Sequence, residues 1–247
     1  MVTATKERQF TFDEKKHRYE LDGKPLTGVT TILGVIAKPA LIQWSADMAC
    51  NYIKEALDKT APQFSHQVTF DREFGVLLTE ARLAHRKKKE AAGTIGTEAH
   101  KQIENYIKGQ PLGVMTEQVE KMVSEFIKWA TEHNVKFLES EKRIYSESRW
   151  FAGTVDFVAE IDGKIWIGDI KTSSGIYPEY FFQTSGYQLA LQEMGLYPEI
   201  EGHIIVNIKK DGSKFEVERS YGYPTSVKAF LAALEIYRAQ EALKATL

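Results

Sequence analysis

The sequence predicts a mixed α/β or α+β fold. Segments of helical periodicity alternate with β-branched runs along the chain. Two of those runs meet at Asp162-Gly163 and two more around Asp211-Gly212, dipeptides that favour tight antiparallel hairpins. The chain has 247 residues, 43% hydrophobic and 27% charged, which suits one large domain or one domain with an embellishment.

Phe10, Phe12 and Tyr19 to Leu21 flank the turn Asp22-Gly23-Lys24-Pro25 and read as short strands. The run Val29-Thr30-Thr31-Ile32-Leu33 is either a strand or the first turn of a helix, and periodicity does not decide. Leu41 to Leu57 is helical, with Leu41, Trp44, Met48, Tyr52, Ile53 and Leu57 on one face. Residues 60–70 read as a loop and 71–92 as a long helix. Gly93 and Gly96 punctuate, and Thr97 then caps a helix to Lys108. Thr116 caps another, with Val119, Val123, Phe126, Ile127 and Ala130 inward. A β-rich stretch at 136–171, a helix at 178–194, a strand pair at 203–218 and a terminal helix from Val227 to Leu243 complete the order.

Several classes are excluded early. One cysteine, Cys50, cannot supply a four-cysteine zinc site or iron–sulfur cluster. No apolar run approaches the roughly 20 residues of a membrane span. The charged N-terminus lacks the apolar core of a signal peptide, so a cytoplasmic protein is expected. With 32 basic and 34 acidic residues, binding to nucleic acid by bulk charge is ruled out, whereas a local basic surface is not.

The chemistry concentrates in the hairpin Ala152 to Ser173. A two-residue turn at Asp162-Gly163 pairs Ile161 with Lys164, Glu160 with Ile165 and Val158 with Ile167, and extrapolation sets Asp156 opposite Asp169. Facing carboxylates repel unless something positive lies between them, and a divalent cation with oxygen ligands is the natural candidate. Lys171 falls on the same face as Asp169. The plainer alternative is a solvated edge with Lys171 as counter-ion. Apolar neighbours on both faces (Val155, Phe157, Ile165, Trp166, Ile167, Ile170) weigh against it. His100 and Glu104 share one helical face, as do Gln183 and Tyr187. A lone histidine at such a place is more often structural, and a packed helix flank is the alternative for the Gln/Tyr pair.

Together these residues resemble the PD-(D/E)XK nuclease superfamily, in its RecB-like branch. The matching elements are Gly96-Thr97-Glu98-Ala99-His100, Ala152-Gly153-Thr154-Val155-Asp156, Asp169-Ile170-Lys171-Thr172-Ser173 and Gln183-Thr184-Ser185-Gly186-Tyr187. They occur in the family's order and cover about residues 80–210. The N-terminal Leu26 to Leu33, with Trp44, resembles stand-alone, phage-type members more weakly.

The resemblance implies a restriction-endonuclease-like core, a central mixed sheet flanked by helices, with an N-terminal helical embellishment. Residues 1–92 would be strands and helices covering the site, and 93–247 the nuclease core, in one compact unit. It implies Mg²⁺ or Mn²⁺ held by Asp156, Asp169, His100 and the backbone carbonyl of Ile170. Lys171 would act on the attacking water and the phosphate, and Gln183 and Tyr187 would position the lysine and the nucleic acid. Glu141 is a candidate further acid, in competition with Glu139 and Glu147. No iron–sulfur cluster is expected. Thr172, Ser173 and the basic block Arg86, Lys87, Lys88, Lys89 are candidate DNA contacts. For the block, a solvated helix face is the alternative. Trp150, Tyr177, Tyr180, Phe181 and Phe182 are candidate base-stacking aromatics.

The expected function is a metal-dependent deoxyribonuclease, an exonuclease of recombination, repair or replication. It would act on single strands or duplex ends in a bacterial or phage-infected cytoplasm, beside a single-strand-annealing or single-strand-binding protein. A flap- or branch-cutting endonuclease and a silent nucleic-acid-binding module on the same fold are the alternatives.

Overall fold

A computed structural model describes residues 8–60, 67–210 and 214–247. The fold is α/β, with a mixed eight-stranded sheet and flanking helices. The chain divides into a sheet unit, Met1–Ile36 with Glu98–Leu247, and a helical unit, Ala37–Thr97. Among the described residues no helix is long and apolar enough to cross a membrane.

The sheet unit opens with an antiparallel meander, β1 (Phe10–Asp13), β2 (Arg18–Leu21) and β3 (Lys24–Gly28). Asp22 and Gly23 take φ of 49° and 76°, which gives the tight turn its hand. The ambiguous run that follows is helix α1 (Val29–Leu33). The expected boundary at residue 92 grouped these strands with the helices after them. They belong to the sheet instead, because β3 pairs in parallel with β5 (Phe151–Ile161) through Thr27↔Phe151 and Gly28↔Ala152.

The helical unit holds α2 (Pro39–Thr60) and the first part of α3 (Gln67–Ile107). The sequence suggests a break at Gly93 and Gly96, but α3 runs through both. Each glycine costs a helix about 1 kcal/mol relative to alanine, yet keeps its N–H for the ladder, and no proline intervenes. Of the expected loop at 60–70, residues 61–66 lie outside the described residues, and Gln67 already begins α3.

After α3 come α4 (Glu117–Glu132), β4 (Lys136–Ser146), β5, β6 (Lys164–Lys171), α5 (Pro178–Glu193), β7 (Gly202–Ile208), β8 (Phe215–Ser220) and α6 (Tyr223–Lys244). Thr116 caps α4, its side chain accepting from Val119 N. The strand order is β1-β2-β3-β5-β6-β7-β8, with β4 also on β5. Asp211 and Gly212, between β7 and β8, lie outside the described residues.

Two apolar layers hold the sheet. Phe151, Val155, Val158 and Ile167 pack with Tyr187, Ala190 and Leu191 of α5 and with Phe230 and Leu234 of α6. Phe157 packs with Phe126 and Trp129 of α4 and with Phe137 of β4. Fully burying such side chains contributes about 1.5–3 kcal/mol each.

One core residue makes stability depend on pH. His203 of β7 is fully buried, its Nε2 lies 2.8 Å from Gln188 Oε1, and its Nδ1 has no partner. The ring therefore donates through Nε2–H, and a second proton at Nδ1 would find no acceptor. Burial lowers its pKa from 6.5 to about 4. Between those values the unfolded chain binds the extra proton and the folded chain does not, so stability is lost as pH falls from 6.5 towards 4. The full loss is about 3 kcal/mol at one proton and 1.36 kcal/mol per pKa unit. Urea midpoints of the metal-free protein measured across this range should fall, and His203→Leu should remove part of the slope. An unchanged slope in that variant would place the dependence elsewhere.

Candidate active site

The β5–β6 hairpin turns on Asp162 and Gly163, whose φ values of 53° and 74° suit a type I′ turn. From there Ile161 pairs with Lys164, Glu160 with Ile165 and Val158 with Ile167, and the ladder ends at Phe157↔Gly168. Asp156 and Asp169 are thus not a ladder pair, as extrapolation from the turn had set them. Beyond Gly168 the two strands part company. Asp169, Ile170 and Lys171 pair only with Ile205, Val206 and Asn207 of β7, while Phe151 and Ala152 of β5 pair with β3.

β5 therefore changes partner midway, and Asp156 lies in the gap. Its Oδ2 accepts from Ile170 N at 2.7 Å, taking the place of a backbone acceptor. The strand is irregular here. Gly153 faces Tyr187 of α5, and Val155 and Val158, three residues apart, both join the α5 core. Strict alternation would separate them. On the other side of β5, Glu141 falls between the paired residues Ser140↔Phe157 and Lys142↔Val155, and has a left-handed φ of 51°.

From Asp169 a connected polar chain runs into α5. Asp169 Oδ2 lies 2.5 Å from Lys171 Nζ, and Asp169 Oδ1 accepts from Gln183 Nε2 at 2.9 Å. Lys171 Nζ donates to Gln183 Oε1 at 3.2 Å, and Gln183 Nε2 reaches Tyr187 Oη at 2.7 Å. The ammonium also sits 5.0 Å from the centroid of the Tyr180 ring. The spacing 180, 183, 187 puts all three on one face of α5. Gly153 makes room for this arrangement, since a Cβ there would lie 2.6 Å from the Tyr187 ring. From α3, His100 Nδ1 lies 3.9 Å from Asp156 Oδ2.

Burial dominates the electrostatics. It raises the pKa of Asp169 to about 6, against the pull of Lys171, and raises that of Asp156 as well. Burial likewise takes Glu141 to about 7, helped by the nearby charges of Asp156 and Glu104. Burial acts to lower Lys171, but Asp169 and Asp156 outweigh it and hold the ammonium above its ordinary value. Burial lowers His100 to about 4, leaving a neutral imidazole at neutral pH. The His100–Asp156 contact is then not an ion pair.

Among the described residues, no group of three or more His, Cys, Asp and Glu side chains is gathered tightly enough to hold a metal ion as it stands. The donor chemistry nonetheless fits a hard divalent cation. Asp169, fully buried, and Asp156, largely so, adjoin with one ammonium, that of Lys171, between their two charges, and His100 is in its ligating, neutral form.

The fold thus brings together His100, Asp156, Asp169, Ile170, Lys171, Gln183 and Tyr187, with Glu141 beside Asp156. Ser173 pins the loop after β6, its N–H donating to Asn207 Oδ1 and its hydroxyl to Gly175 O at 2.7 Å. Thr172, in the same loop, is half-buried. Arg86, Lys87, Lys88 and Lys89 belong to the helical unit, where Lys87 pairs with Glu80 and the other three are exposed. Glu139 pairs with Lys142, and Glu147 with Arg8.

Three neighbours were not assigned these roles from sequence. Tyr180 was visible as an aromatic, and its i, i+3 spacing to Gln183 was the signal for its place beside Lys171. Tyr19 of β2, whose hydroxyl meets Thr154 Oγ1 at 2.9 Å, carried no signal, because the β3–β5 pairing brings it there. Lys210, whose charge helps to lower the His100 pKa, arrives through the parallel pairing of β6 with β7.

No family model matches the chain, and no curated protein matches it significantly. A solved structure described as "Crystal structure of SSO0001" aligns with 75% of this chain and 84% of its own, at 15% identity and a TM-score of 0.31, a likeness too slight to assign a fold family or an activity.

Proposed function

We propose that the protein is a metal-dependent deoxyribonuclease of the PD-(D/E)XK type, RecB-like branch, acting as an exonuclease. The observation that carries this reading is the polar chain Asp169–Lys171–Gln183–Tyr187 beside Asp156 and His100. A purely structural ion pair needs no second buried carboxylate and no neutral histidine at its side.

Asp156, Asp169, His100 and the Ile170 carbonyl would hold Mg²⁺ or Mn²⁺. When bound, the cation supplies Lewis-acid polarisation of the phosphoryl oxygen and a more acidic water. Lys171 carries a proton held by Asp169 and Asp156, so it offers positive charge and a donor to the phosphate oxygens rather than a free base. Gln183 fixes that ammonium through Oε1 and the Asp169 carboxylate through Nε2. Tyr187 orients Gln183 in turn. These contacts supply positioning and charge, with no covalent intermediate.

A catalytically silent nucleic-acid-binding module is the second reading. It is favoured by one feature: both Asp169 oxygens are already engaged by the protein's own Lys171 and Gln183. End-labelled single- and double-stranded DNA incubated with Mg²⁺, Mn²⁺ or EDTA separates the two. The nuclease reading expects product with either metal and none in EDTA, with mononucleotides or a processive ladder from one labelled end. Retained binding with no product under any metal would overturn it in favour of the module. Internal cuts at branches would replace the exonuclease by an endonuclease.

A further inference from the structure

Of the five aromatics that sequence offers as stacking partners, the fold leaves one poised and accessible. Trp150 donates its Nε1–H to Pro25 O and packs on the N-terminal core. Phe182 packs on the α5 core, and Phe181 is half-buried. Tyr180 is half-buried with its ring against Lys171. Tyr177 is 40% exposed. Its ring stands at 81° to that of Tyr180, with centroids 5.7 Å apart, and Tyr180 in turn lies 5.0 Å from the Lys171 ammonium.

Tyr177 is also held in place without a ligand. Its hydroxyl bonds Ser174 Oγ at 2.7 Å, Pro178 follows it at the start of α5, and Ser173 anchors the same loop to Asn207. An exposed ring that is already ordered loses little rotamer freedom on binding. Lys210 leaves the same end of the sheet. β6 and β7 run parallel and pair Lys171 with Asn207, and Gln118 Nε2 donates to the Lys210 carbonyl. Lys210 is half-buried, burial alone acts on its ammonium, and no carboxylate among the described residues pairs with it, so it can meet a phosphate.

We propose that Tyr177 stacks on an unpaired base of a DNA strand whose adjoining phosphate lies against Lys171, with Lys210 contacting the backbone, so that the substrate is a single-stranded end. This rests on the nuclease reading. Inside a duplex each base has both faces covered by its neighbours, so away from the terminal pair a fixed ring can stack only on a base that has left the stack.

The test compares wild type, Tyr177→Ala, Tyr177→Phe and Lys210→Ala on single-stranded oligonucleotides and on covalently closed-ended, fully paired hairpins. Binding to both DNAs is read in EDTA by fluorescence of a 2-aminopurine base, and KM and kcat by cleavage of the single strand in Mg²⁺, since closed DNA offers an exonuclease no end. Tyr177→Ala should weaken single-strand binding and raise KM by about 5- to 100-fold, the range for one lost base–aromatic stack, with kcat changed far less. It should also abolish quenching of the 2-aminopurine, and Tyr177→Phe, which keeps the ring, should restore both. Lys210→Ala should weaken single strands and hairpins alike and reduce the salt dependence of binding. Equal losses in the Ala and Phe variants, or equal losses on paired and unpaired DNA for Tyr177→Ala, would overturn the proposal. The two failures are distinguishable. Wild type that cuts but ignores Tyr177→Ala sinks the stacking role alone. Wild type that cuts nothing sinks the nuclease reading, and the quenching arm still decides the stack.

Discussion

Asp169→Asn is expected to abolish metal-dependent cleavage, by about a thousandfold or more, the scale of a lost transition-state charge contact. The substitution keeps the shape of the side chain and removes only its charge. Its oxygen can still accept from Gln183, but an amide N–H₂ then confronts the Lys171 ammonium that the carboxylate now holds at 2.5 Å. The lysine keeps Asp156 as a partner at longer range, so the fold should survive with a loss of about 1–3 kcal/mol. Affinity for DNA in EDTA should be unchanged or slightly tighter, since a negative charge has left the site. Anisotropy titration beside single-turnover cleavage measures both. A variant cutting within tenfold of wild type would show that Asp169 is an internal counter-ion and nothing more.

Gly168→Ala is expected to be the most damaging small substitution in the sheet. A Cβ there would fall 1.9–2.4 Å from three atoms of the Phe157 ring on the adjacent strand. That ring is fully buried and boxed in by Phe126, Trp129 and Phe137, so it has nowhere to go. Overpacking of a tight core costs about 1–3 kcal/mol, and the aromatic box puts this case at or above the upper end. Because Gly168 directly precedes Asp169, any relief by backbone shift also misplaces the carboxylate. Urea denaturation of Gly168→Ala, Phe157→Leu and the double variant forms a cycle. The double variant should be more stable than the sum of the single losses by 1 kcal/mol or more (about the coupling seen between touching residues). Simple additivity would mean that the ring is not what the glycine accommodates.

What could be read from the sequence was local. The Asp162-Gly163 turn carries its own backbone preference, so the pairing from Ile161 out to Val158 followed from counting. The helical spacing of Gln183 and Tyr187 was likewise legible. The position of Asp156 against Asp169 was not, because it depends on β5 leaving β6 for β3, a contact made by residues more than 120 positions apart in the chain. The same strand irregularity at Glu141 has no signature in a stretch reading Glu139-Ser140-Glu141-Lys142. Gly153 and Gly168 looked like ordinary strand glycines until their partners, Tyr187 and Phe157, were in view. Gly93 and Gly96 looked like a break and were not one, because helix continuity depends on the hydrogen-bond ladder rather than on residue type alone.

The hairpin tip at Asp162-Gly163 stands well away from the chemistry its two strands carry. Asp156 lies six residues back along β5 and Asp169 six residues on from Gly163, about 20 Å at ~3.3 Å per residue. A residue added at that exposed tip can be taken up by a longer turn, because β4 and β3 hold β5 in register and β7 holds β6. The carboxylates are thus insulated from the tip: its length can drift, whereas a two-residue turn with left-handed φ at both positions restricts which residues it can hold.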